Sequence, residues 1–77
     1  MDNAIELIIG DIKLKSGSFF RIGKNRYKVI FSPAGHVHNI DLWDFQKTKP
    51  LSVIGSIKKD GSANYHGILD RIEEVFD

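Results

Sequence analysis

The chain has 77 residues, no cysteine and a net charge of +1. That bounds it to one domain, 1–77, at the small end of what folds alone, and it excludes disulfide staples and thiolate-held metals. Near-balanced charge excludes a non-specific nucleic-acid coat, and no apolar run approaches the roughly 20 residues of a membrane span. Met1-Asp2-Asn3 lacks the basic start of a signal peptide. The expected setting is soluble and cytoplasmic.

Residues 1–15 fit two periods. Ile5, Ile8, Ile9 and Ile12 make a helical stripe that Asp2 or Asn3 would cap, whereas Ile5, Leu7 and Ile9, then Ile12 and Leu14, alternate as strands re-phased around Gly10-Asp11. Isoleucine content and the interior glycine favour strand. Phe20 and Ile22 alternate, Gly23-Lys24-Asn25 signals a tight turn, and Tyr27, Val29 and Phe31 alternate again. This spacing predicts a β-hairpin closed by the Pro33 and Gly35 turn signals. A third strand is expected over 37–45, where consecutive Leu42 and Trp43 require apolar contact on both faces or a bulge. A fourth is expected over 51–57, with Gly55 marking a bulge or close packing against the helix that follows.

The last segment reads as helix. Tyr65, Ile68, Leu69, Ile72, Val75 and Phe76 repeat at three and four residues, and the polar residues Asp60, Ser62 and Asn64 precede them. The spacing predicts an amphipathic helix over 63–76 that buries Ile68 and Ile72 and turns Asp70, Glu73 and Glu74 outward. Strands over about 4–57 followed by this helix make an α+β fold. Its small twisted antiparallel sheet of four to five strands can curl towards a barrel.

Catalytic and metal-binding patterns are thin. His36 and His38 share one side of a strand, but two imidazoles fall short of the three or four ligands a metal site needs. Ser16-Gly17-Ser18 lacks the spacing and the Lys-Ser/Thr of a phosphate loop, and turn chemistry explains it better. Asp41 and Asp44 stand three apart on an extended strand, which does not suit a carboxylate dyad. The expectation is no enzyme, no cofactor and no metal.

The informative stretch is 12–35, with six cations (Lys13, Lys15, Arg21, Lys24, Arg26 and Lys28) and no acid. Acids dominate both ends: Asp2, Glu6 and Asp11 before it, and Asp70, Glu73, Glu74 and Asp77 at the close. Strand parity places Arg21, Arg26 and Lys28 on one solvated face with Lys24 at the tip, which Lys13 and Lys15 extend. Phe19 and Phe20 are adjacent, as are Leu42 and Trp43, so a regular strand exposes one of each pair.

The run 14–31 combines a glycine turn, an aromatic, an Ile-Gly turn and a Tyr-x-Val strand, and it resembles small β-barrels of the SH3-like kind. That resemblance implies a fold and assigns no function. The functional expectation is therefore a small adaptor, regulator or inhibitor that meets an acidic protein surface. Lys13, Lys15, Phe19, Phe20, Arg21, Lys24, Arg26, Lys28 and Trp43 are the candidate contacts. The alternative is nucleic-acid binding by the same face. No membrane partner is expected. Because a core this small rarely supplies more than about 3–5 kcal/mol, self-association through an edge strand near Trp43 is a further expectation.

Overall fold

A computed structural model describes residues 5–46 and 49–76. Met1, Asp2, Asn3, Lys47 and Asp77 lie outside the described residues, and with them the alternative helix cap and part of the acidic ends. Of the described residues 63% lie in strands, and none of them belongs to a helix of seven or more residues. In order it forms β1 (Glu6–Ile9), β2 (Ile12–Lys15), β3 (Phe19–Ile22), β4 (Asn25–Ala34), β5 (Val37–Asp44), β6 (Pro50–Lys58), β7 (Ala63–Tyr65), a 3-10 helix (Gly67–Arg71) and β8 (Glu74–Val75).

β1 and β2 make a separate antiparallel hairpin around Gly10, which adopts φ 60°, a left-handed turn conformation that suits glycine. From Glu6 to Lys15 the extended reading is the one the chain adopts. The remaining strands form one curled antiparallel sheet in the order β7-β6-β5-β4-β3-β8. Ser16 and Ser18 do turn work between β2 and β3. Ser18 Oγ accepts from the Lys15 amide at 2.8 Å, and Ser16 Oγ accepts from the Phe31 amide at 3.0 Å.

The C-terminal helix, and with it the α+β class, is overturned. The segment expected to be helical supplies β7, one 3-10 turn and β8 instead. The physical reason is local. Asn64 and Gly67 are poor helix formers, and Ile68, Ile72 and Val75 are β-branched. His66 ends the strand by accepting the Ile68 amide on its Nδ1 at 3.1 Å. The apolar repeat survives in a shorter period: Leu69 and Ile72 are buried, and Val75 packs against them.

Two opposite sheet edges are joined by this short connection, so the sheet must curl around its inner face. Phe20, Val29, Phe31, Ile40, Leu42 and Ile57 line that face, and Leu7 and Leu14 pack on it from the hairpin. Leu69 and Ile72 fill it from the connection. The β5–β6 register slips twice. Ile40 pairs with Gly55 but Asp41 with Val53, and Leu42 pairs with Ser52 but Trp43 with Pro50. The extra residues, Ile54 and Leu51, are bulges on β6, whereas β5 keeps its alternation, with Leu42 buried and Trp43 on the opposite face.

Gly55 is a packing glycine, but the element that packs on it is β7 and not a helix. A β-carbon there would strike the Asn64 carbonyl oxygen and lie 2.7 Å from the Tyr65 α-carbon. Both are backbone atoms of the neighbouring strand and cannot rotate away. Gly55→Ala should therefore cost about 1–3 kcal/mol, as forced overpacking does. Equilibrium urea unfolding measures it, and an unchanged midpoint would mean that β7 does not sit against β6.

Candidate protein-interaction face

Parity along β3 separates the adjacent phenylalanines. Phe20 points inward and is fully buried, while Phe19 and Arg21 point outward. Of the two expected anchors, only Phe19 reaches the surface. Antiparallel register then builds two rows across β8, β3, β4 and β5. One runs through Phe76, Phe19, Lys28 and Trp43, since Phe76 donates its amide to the Phe19 carbonyl and Phe19 pairs with Lys28, which pairs with Trp43. The other runs through Glu74, Arg21, Arg26 and Phe45, by the pairs Arg21–Glu74 and Arg21–Arg26 and the Phe45 amide bond to the Arg26 carbonyl.

The rows interlock. The Arg26 guanidinium lies 5.6 Å from the Phe76 ring centre and 5.8 Å from that of Phe45. The Lys28 ammonium lies 5.2 Å from the Trp43 ring and 5.9 Å from that of Phe19. Phe19 and Phe45 meet edge to face at 5.1 Å. Cation and ring hold each other in place in such an array, and the side chains lose less freedom when a partner arrives. Phe45 is 38% exposed and Phe76 39%. The face thus alternates rings and charged groups and is open to solvent at Phe45 and Phe76.

Two arginines placed directly across a ladder repel. Here the repulsion is relieved from outside the pair. Arg21 donates to Glu73 at 2.9 Å and to Glu74 at 3.4 Å, and Glu73 also accepts the Gly23 amide at 3.0 Å. Arg21 is therefore paired with acids of the chain itself, whereas Arg26 contacts only rings among these groups and, with Lys24, is exposed at the hairpin tip. A shallow cleft there is bounded by Lys24, Arg26, Asp44 and Phe45.

Lys13 and Lys15 do not join this face. They stand on the outer side of the β1–β2 hairpin, whose inner residues Leu7 and Leu14 enter the same core as Phe20 and Val29. Two sheets that share a core turn their outer faces apart. Lys13 instead approaches Glu6 at 4.0 Å. The six cations of residues 12–35 divide into two groups, and the larger group shares its surface with Glu73, Glu74 and Asp41.

Phe45 and Phe76 belong to the face without having been among the expected contacts. Phe45 was readable, because it lies two residues beyond Trp43 and shares its parity. Phe76 was not, since its place depends on β8 pairing with β3 across the whole sheet. The second large concavity runs between β1 and the β6–β7 end, with Leu7, Ile57 and Tyr65 among its apolar lining and His38 and Lys58 beside them. Among the described residues no group of three or more His, Asp or Glu side chains comes together. No helix among them is long and apolar enough to cross a membrane. The strand expected to self-associate, third or fourth in the sequence reading, is β5 or β6. β5 is paired along both edges, and β6 has a free edge only before its contact with β7.

Compared with protein-family models, curated proteins and solved structures, the chain matches none of them.

Proposed function

We propose that this chain is a small non-enzymatic protein-binding module, an adaptor, regulator or inhibitor working in the cytoplasm. It takes an acidic partner surface on the β8-β3-β4-β5 face. The observation that carries this reading is the interlocked array of Arg26 and Lys28 with Phe19, Trp43, Phe45 and Phe76. Arginine and large aromatics held in place beside each other are the residues on which protein interfaces concentrate their affinity. In this reading a partner carboxylate pairs with Lys24 and Arg26 at the hairpin tip while an apolar side chain covers Phe45. Absence of cysteine suits a reducing compartment.

Mixed sign favours protein over nucleic acid. Phosphate binding draws its strength from clustered cations, and here acids interrupt them. Arg26→Ala should weaken partner binding by about 2 kcal/mol, roughly thirtyfold, a typical effect for an interface arginine. Lys13→Ala/Lys15→Ala on the opposite side should leave it unchanged. Affinity capture with the parent and both variants, each checked by circular dichroism for an unaltered fold, makes the comparison. Equal recovery by Arg26→Ala would remove the face from the interface. Anisotropy with single- and double-stranded oligonucleotides completes it. Tight low-salt binding that collapses at physiological salt would assign the face to nucleic acid instead.

A further inference from the structure

Part of this face is already covered by the chain itself, and the covering segment has the chemistry expected of a partner. After the buried Ile72, Glu73, Glu74, Val75 and Phe76 run extended along the edge of β3. Glu73 donates its amide to the Arg21 carbonyl and Phe76 donates to that of Phe19, each at 2.9 Å. Glu73 and Glu74 hold the Arg21 guanidinium, Val75 pairs with Phe20, and Phe76 completes the aromatic cradle of Arg26.

Resting on the reading above, we propose that the β3 edge is the subsite for an extended partner segment of acid–acid–apolar–aromatic sequence. Residues 73–76 of this chain occupy it as a displaceable internal mimic. Strand addition to a sheet edge draws affinity from the backbone ladder and specificity from alternate side chains, and all of those features are present here. β8 pairs over only two residues, and its acidic side chains are about half exposed, 52% for Glu73 and 54% for Glu74. Ion pairs that open to water contribute little to holding it down. What holds β8 in place is tethering. A covalently attached segment competes at an effective concentration of about a millimolar. The segment therefore sets a threshold: weak acidic strands are kept off the face, and only a partner that also engages Lys24, Lys28 or Phe45 displaces it.

The test uses a labelled synthetic peptide, acetyl-Ile-Glu-Glu-Val-Phe-amide, and the full chain. Glu73→Gln/Glu74→Gln weakens the internal mimic without touching the core. It should bind the peptide a few-fold more tightly than the parent does, up to about fivefold, since an exposed ion pair is worth about 0.2–1 kcal/mol. Adding Arg21→Gln should abolish that gain. Equal binding by parent and double variant, or no binding by either, overturns the inference and leaves β8 a purely structural strand. Dimers of the peptide-free double variant in sedimentation would also overturn it, in favour of a second copy that exchanges this segment. Loss of partner capture in Arg26→Ala is a separate readout. It survives a failed peptide experiment, so the two proposals fall independently.

Discussion

Phe20→Ala should lower folding stability by about 3–5 kcal/mol, while Phe19→Ala, one residue away, should cost less than about 1 kcal/mol. Phe20 is fully buried and packs its ring 5.8 Å from that of Tyr27. It sits where β4, β3 and β8 meet, paired to Tyr27 on one side and Val75 on the other. Truncating it opens a cavity at the junction of three strands whose backbone cannot collapse to fill it. Phe19 faces outward, and its loss removes one edge contact with Phe45 and part of the Lys28 cradle. Thermal and urea unfolding of the two variants would measure the difference. For a domain with ~5 kcal/mol of total stability, Phe20→Ala should be largely unfolded at 37 °C. A reversed order of effects would mean that β3 is shifted by one residue, which would turn every side chain to the other face.

Leu69→Ala should cost about 2–5 kcal/mol, the range for a fully buried leucine. The argument differs from that for Phe20, because Leu69 belongs to no strand. It sits in the 3-10 helix that joins the two edges of the curled sheet and plugs the open end of the core. A helix over 63–76 would make Ile68 and Ile72 the costly positions. Here Ile68 is only partly buried, and the largest effect moves to Leu69. Glu73 also changes role. On the outer side of a helix it would be neutral, but here it binds both Arg21 and the Gly23 amide. Unfolding midpoints for Leu69→Ala and Ile68→Ala separate the two arrangements. If Ile68→Ala were the more damaging, the helical packing would be restored.

The strands were legible because their period of two survives without tertiary context. The alternation through Phe20, Ile22, Tyr27, Val29 and Phe31, with a turn at Gly23, appears in the fold as β3 and β4. Gly10-Asp11 likewise marks the first hairpin. The last segment was misleading because its spacing of three and four residues serves a helix and a single 3-10 turn with strand ends equally well. Leu69 to Ile72 is one such spacing, and propensity at Asn64 and Gly67 carried the decisive signal. The face was half legible. Parity within a hairpin gathers Arg21, Arg26 and Lys28, whereas the removal of Lys13 and Lys15 depends on which sheet each strand joins. The engagement of Arg21 depends on contacts more than fifty residues apart.

The slipped register between β5 and β6 also bears on how this protein behaves when concentrated. Among the described residues β6 has no outer neighbour along its first half, and it carries Leu51, 49% exposed, and Val53, 60% exposed. A flat apolar border of that kind recruits further chains into fibres. This one is poorly suited to it. Pro50 offers no amide, and the extra residues Leu51 and Ile54 break the two-residue repeat that an incoming strand would have to follow. An approaching molecule meets hydrogen-bonding groups out of step with its own, which opposes growth. The same two bulges that let the sheet bend around its interior thus also act as a guard against templated aggregation, without a single charged side chain on that border.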